Sequence, residues 1–193
     1  MYPLTYNFKR IALTNKVTVT NASGEVILYA HQKLLNIKER ILLFADVEKS
    51  RPVGELRADR VIDFSPIQTF TDNSGSVVSK VARRGAKSIW RANYEIMDAQ
   101  DRVFFKVKEE KAWVKVVDAL VGEIPIVGLF TGYLFNPTYL LLNEHEAVVG
   151  KITKRPSFLE SNYTLELADQ TISNAELLPI SIMTVVTRER ARG

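Results

Sequence analysis

The fold is decided by Ser173–Thr187, which reads SNAELLPISIMTVVT. Between Leu177 and Val186 apolar residues occur on every side of a helical projection rather than along one stripe. A helix of this kind has to be surrounded by protein. Ser173 and Glu176 have the spacing of a capping box, and the arginines between positions 188 and 192 supply positive charge where a helix C-terminus favours it. We therefore predict a buried C-terminal helix.

A buried strand is the competing interpretation of the same segment. Ile180, Ile182, Val185 and Val186 are good strand formers, and Pro179 is compatible with a helix only in its first turn. The basic residues that follow favour the helix. Its apolar length is too short to cross a bilayer.

Upstream, the dominant pattern is an alternating apolar strand, a short turn of Asn, Asp, Ser or Gly, and a second strand. Asn, Asp and Gly tolerate the positive φ angle that tight hairpins require. The pattern occurs four times, with turns at Asn21–Gly24, Asp72–Gly75, Asp98–Asp101 and Glu144–Glu146.

Further strands are predicted at Arg40–Asp46, Val53–Ala58 and Asn162–Leu167, which makes ten to twelve in all. Repeated hairpins predict an antiparallel sheet that hides its edges by closing. No composition break divides the chain. We predict one mostly β domain over residues 1–193, with a closed or nearly closed barrel around the C-terminal helix.

Composition excludes several classes of chemistry. The 193 residues contain no cysteine, which rules out disulfides, zinc–thiolate sites and thiol catalysis. The net charge of +4 is too small to indicate nucleic-acid binding. No phosphate-binding loop, dinucleotide-binding motif or nucleophile elbow occurs, and His31 and His145 lack metal-binding spacing. We expect no enzyme activity and no cofactor.

The layout resembles the tubby C-terminal-like superfamily, which includes tubby, the phospholipid scramblases and the plant LURP-one-related proteins. Tyr94–Asp98 followed by Arg102–Val107 is similar to the recurring unit of the LURP-one and scramblase branch, and Leu177–Val186 is similar to its central helix. The resemblance implies a barrel of about twelve strands threaded by one hydrophobic helix. It also implies a role at membrane lipids, since tubby-type members bind phosphoinositides and scramblase-type members are linked to lipids and calcium.

The chain departs from the scramblase pattern in three respects. It has no terminal transmembrane segment and no cysteine-rich stretch, and Asp72–Gly75 lacks the ligand spacing of a calcium loop. No basic residue could be matched to the tubby phosphoinositide site. Without a secretion signal at the N-terminus, we expect a cytoplasmic protein that can lie at a membrane periphery.

The best candidate for a binding site is a basic cluster around a glycine, with Trp90 next to it. Arginines and a glycine loop can hold a phosphate through fork-shaped donors and free backbone amides. A solvated basic turn is the alternative reading. The partner we expect is an anionic phospholipid, a membrane surface or another anionic molecule, and the candidate residues are Lys80, Arg83, Arg84, Lys87 and Arg91.

A second hypothesis is a protein-interaction or scaffold domain. The apolar stretch at positions 124–135 would form an exposed patch larger than soluble monomers usually show, or else it plugs a barrel end. The residues that would make the interface are Leu129, Phe130, Tyr133, Leu134 and Phe135.

Overall fold

A computed structural model describes residues 1–11, 14–33, 40–58, 67–84, 92–110, 138–155 and 161–190. These residues form twelve strands, a short 3-10 turn at Ala175–Leu177 and one α-helix, α1, at Leu178–Arg190. The strands are β1 Leu4–Ile11, β2 Thr14–Thr20, β3 Val26–Lys33, β4 Arg40–Phe44, β5 Pro52–Ala58, β6 Ile67–Asp72, β7 Val77–Arg83, β8 Asn93–Met97, β9 Val103–Glu109, β10 Thr138–Asn143, β11 Val148–Arg155 and β12 Ser161–Leu167.

Each strand pairs antiparallel with the next one along the chain, and β12 pairs with β1 to close the barrel. The closing register sets Leu4 opposite Leu165 and Phe8 opposite Ser161. Closure leaves no strand edge unpaired, which removes the hazard of edge-to-edge association. The predicted closed antiparallel barrel is confirmed.

The helix α1 fills the centre of the barrel. Eight of its residues are buried, on all of its sides, and Leu178, Ile182, Val185 and Val186 share one core with inward-facing side chains from the strands. Pro179 lies in the first turn, where a missing N–H does no harm. The helix is confirmed, and the strand interpretation of this segment is wrong.

Five hairpin turns, each led by an Asn or Asp residue, lie at one barrel end, here called the turn end. In four of them an Asn or Asp side chain accepts hydrogen bonds of 2.8 to 3.0 Å from the backbone N–H groups two and four residues later. In the fifth turn, the Asp46 carboxylate accepts hydrogen bonds from the backbone N–H groups of Ser50 and Arg51, four and five residues later. Each turn also contains one residue with positive φ and is followed by a register shift. The leading residues are Asn21, Asp46, Asp72, Asp98 and Asn143.

Two details differ from the sequence-based predictions. The strand β1 was not predicted, although Leu4, Tyr6 and Phe8 alternate with polar residues and are all buried. The capping box at Ser173 does not form, because Asn174 adopts a left-handed conformation before the 3-10 turn, without a side-chain cap.

The packing of α1 predicts that Ile182→Ala is strongly destabilising. Ile182 is fully buried, and truncating a core Ile to Ala costs about 2–5 kcal/mol. The control is Leu42→Ala on the outer wall, where the side chain is 45% exposed and the expected cost is about 0.5 kcal/mol or less. Urea denaturation measures both; equal losses would contradict a helix inside the barrel.

The turns predict a specific acid sensitivity. The Ser74 hydroxyl and the Ser76 N–H hold the pKa of Asp72 below its ordinary value. Because that pKa is lower in the folded than in the unfolded chain, its stabilising contribution is present above about pH 4 and is lost as the pH falls through the depressed value.

Asn occupies the equivalent position in the turns led by Asn21 and Asn143. We therefore expect Asp72→Asn to keep the turn at pH 7 and to flatten the loss of unfolding free energy below pH 4. Denaturant titrations at pH 7 and pH 3 measure this. An unchanged slope against pH would show that Asp72 does not contribute.

Candidate anion-binding site

The two barrel ends carry opposite formal charge. The turn end gathers ten carboxylates, whereas three Lys and Arg residues lie in its turns and three more reach it from the strands. The carboxylates are Glu25, Asp46, Glu48, Asp72, Asp98, Asp101, Glu144, Glu146, Asp169 and Glu176.

The opposite end, here called the basic end, is where β1, β3, β5, β7, β9 and β11 finish and where α1 ends. Among the described side chains it carries ten cations and five glutamates, namely Glu55, Glu95, Glu109, Glu110 and Glu189. Its cations are Lys9, Lys16, Arg40, Arg57, Arg83, Arg84, Lys154, Arg155, Arg188 and Arg190. The barrel is therefore polarised along its axis.

The predicted basic cluster is divided by this arrangement. Lys80 belongs to the turn end, since its ammonium group lies 2.7 Å from Asp101 Oδ1 and 3.1 Å from the carbonyl oxygen of Ala99. Arg83 and Arg84 lie at the basic end. Lys87 and Arg91 are outside the described residues.

Arg83 and Arg84 are adjacent in sequence but lie on opposite faces of the barrel wall. Arg83 is two residues beyond the inward-facing Val81 and pairs in register with the buried Tyr94. Because side chains alternate along a strand, Arg83 is on the inner face and Arg84 on the outer face. Arg84 is half exposed and forms a 2.7 Å ion pair with Glu95.

Inside the basic end, the last turn of α1 meets a group of buried tyrosines. The hydroxyl of Tyr94 donates a 2.5 Å hydrogen bond to Oε1 of Glu189. Burial, and next the charge of Glu189, raise the pKa values of Tyr94, Tyr139 and Tyr163. The Glu189 carboxylate therefore contacts Tyr94 and acts through its charge on Tyr139 and Tyr163.

The charges of three arginines act on two of these tyrosines. The charges of Arg83 and Arg188 act on Tyr94 and partly offset the rise of its pKa, and that of Arg190 does the same at Tyr163. The Arg190 guanidinium also lies 5.4 Å from the centre of the Phe8 ring. The name "arginine mouth" is used below for Arg83, Arg188 and Arg190 with Glu189 and Tyr94.

Two further basic residues, Lys154 and Arg155, end β11 at the same end of the barrel. Lys154 is half-buried and Arg155 is exposed, at the end of β11. The Nε of Arg155 donates a 2.8 Å hydrogen bond to Oγ1 of Thr164, which fixes its orientation. Lys154 is two residues beyond the inward-facing Ile152 and pairs in register with the buried Tyr163, so it lies on the inner face of the wall. The outer rim therefore presents Arg155 and Arg84.

The two histidines lie beside charged side chains. The ammonium group of Lys49 lies 2.8 Å from Nδ1 of His31, and His145 is exposed beside Glu144. No group of three potential metal ligands occurs in the part of the chain that the structure describes. The apolar residues proposed as an interface, between positions 129 and 135, lie outside it.

Sequence reasoning missed the arginine mouth. The available signal was weak: Tyr94, Tyr139 and Tyr163 each occupy an apolar-alternating position of a strand. Only the paired registers and the central helix bring Tyr94, Arg83 and Glu189 together.

Comparisons of the chain with protein families, curated proteins and solved structures find no match. Within the described ranges, no helical segment combines the length and hydrophobicity that a bilayer crossing requires.

The tyrosine–glutamate bond predicts different outcomes for two buried tyrosines. Tyr94→Phe removes a hydrogen bond to a charged group and is expected to cost about 1.5–3 kcal/mol. Tyr6→Phe is the control, because the buried Tyr6 hydroxyl has no hydrogen-bond partner among the described residues, so its loss should be neutral or stabilising. Urea unfolding of both variants measures the difference, and equal losses would refute the bond.

Proposed function

We propose that this protein is a non-catalytic binding domain that contacts anionic headgroups of a membrane surface with its basic end. The observation that carries the proposal is the axial separation of charge. Basic residues that are scattered through the sequence are gathered at one end by the closed up-and-down topology. A surface with a net positive charge attracts an anionic partner and orients it during approach.

The outer rim supplies donors in reach of a flat surface. Arg155 is exposed, and Arg84 keeps half of its side chain in solvent although it pairs with Glu95. Each Lys or Arg near an anionic membrane contributes about 1 kcal/mol, screened by salt.

The charge pattern also favours one orientation. The turn end, with more carboxylates than cations, is repelled by an anionic surface, and the basic end is attracted. We infer that the barrel axis stands across the membrane plane with the turn end facing away.

A non-catalytic role fits the packing of the interior. The core is shared between the strands and α1, which leaves a barrel of this kind little room for a substrate. One depression on the described surface is lined by residues such as Leu42, Phe44 and Gly54.

The resemblance to tubby-like proteins supports the same proposal. A closed twelve-stranded barrel around a hydrophobic helix is the architecture that the resemblance implies, and lipid headgroups are the partners it implies. Membership of that superfamily is itself part of the proposal. The scaffold hypothesis rests on residues outside the described ranges and stays a prediction.

Vesicle flotation tests the function. We expect the protein to float with phosphatidylcholine vesicles that contain a phosphoinositide, and not with phosphatidylcholine alone. Neutralising two rim cations, Arg84→Gln with Arg155→Gln, should weaken binding roughly 30-fold, from about 1 kcal/mol for each charge.

The matched control neutralises two cations of the turn end, Lys80→Gln with Lys106→Gln. Net charge changes equally, so this variant should bind like the wild type if location matters. Equal recovery on neutral and anionic vesicles, or equal weakening in both double variants, would sink the proposal.

A further inference from the structure

The helix delivers a carboxylate into the basic end. Glu189 is half-buried, between Arg188 and Arg190 in sequence, and accepts the 2.5 Å hydrogen bond from Tyr94. Its charge acts on Tyr139 and Tyr163 as well. A carboxylate in such a place is a chemical analogue of an oxyanion ligand. Like a phosphate, it has negatively charged oxygens that accept hydrogen bonds from arginine and phenol donors.

The surrounding donors exceed what one carboxylate can use. An arginine carries five N–H donors and a carboxylate about four acceptor positions. Arg83 is the register partner of Tyr94, Arg188 and Arg190 flank Glu189 in α1, and the Nε of Arg188 is buried with no acceptor among the described residues. The charge of the arginine mouth remains positive after Glu189 is counted.

We propose that the arginine mouth is an oxyanion-binding site that the chain's own Glu189 partly occupies, so that a phosphate group and the Glu189 carboxylate compete for the same donors. The ligand class is a phosphate monoester or free phosphate, which the arginine forks recognise equally well. Glu189 thereby sets how tightly the basic end holds a phosphate. This proposal rests on the proposed function, because it assumes that the basic end meets anionic ligands.

The two faces of β7 separate this site from the outer rim. Arg83 belongs to the mouth, whereas the neighbouring Arg84 belongs to the rim and is paired with Glu95. A ligand held in the mouth depends on Arg83, and a ligand held only by the rim depends on Arg84. Adjacent substitutions of the same chemistry therefore report on different sites.

Calorimetric titration with inorganic phosphate tests the competition. Glu189→Gln keeps the size and an acceptor for Tyr94 but removes the competing charge, so we expect at least tenfold tighter phosphate binding than in the wild type. The control is Glu166→Gln, an exposed residue on β12, which changes the net charge equally and should leave the affinity within about twofold. Equal effects of the two variants would overturn the proposal.

Arg83→Gln in the Glu189→Gln background should abolish the gain in phosphate affinity, and Arg84→Gln in the same background should preserve it. The reverse result would place the anion on the rim and overturn the proposal. If Glu189→Gln does not fold, Arg83→Gln and Arg84→Gln are compared in the wild-type background. Only Arg83→Gln is then expected to weaken phosphate binding. Equal weakening of phosphate binding by the two substitutions would contradict a site in the arginine mouth.

The vesicle assay separates the two proposals and the source of the phosphate. If anionic vesicles bind and depend on Arg84 and Arg155 while Glu189→Gln leaves phosphate affinity unchanged, the function stands and the mouth is refuted. If neither phosphate nor anionic vesicles bind any variant, both fail. Tighter phosphate binding by Glu189→Gln without tighter vesicle binding identifies a free phosphate compound rather than a lipid headgroup.

Discussion

The all-round burial of α1 is the constraint on which the rest of the structure depends. A twelve-stranded closed sheet encloses more space than its own inward side chains fill, and an apolar helix without a polar face cannot remain in water. The helix completes the core of the barrel, and the barrel wall shields the helix from water. Ile182, Val185 and Val186 therefore determine the barrel as much as any strand does.

The same helix gives the barrel a direction. It enters at the turn end, where Tyr2 donates a hydrogen bond to the carbonyl of Ala175, and ends at the basic end with two arginines and Glu189 in its last turn. Cations at a helix C-terminus offset the partial negative charge of the dipole. The end of the helix, the rim cations and the buried tyrosines therefore lie at one end of the barrel. The arginines that stabilise the helix terminus are also part of the proposed binding site.

Much of the fold was readable from local pattern. Hairpins were predicted because Asn, Asp and Gly mark turns whose side-chain and backbone geometry is set within five residues, as at Asp72–Ser76. The strand β1 escaped because it has no such turn marker and its closing partner, β12, is about 160 residues away. The faces on which Arg83 and Arg84 lie could not be predicted for a related reason. A strand pattern predicts that side chains alternate between two faces, but it does not predict which face the rest of the chain covers.

By itself, the sequence determined the elements: strand alternation, Asx-led turns and a helix too apolar to be exposed, all of which depend on contacts within one turn or one hairpin. Only the tertiary structure decided that the strands close in chain order, that Lys80 and Arg84 go to opposite ends, and that Glu189 meets Tyr94. Those outcomes depend on pairings between residues far apart in the chain, whose energies exist only once the barrel has closed around its helix.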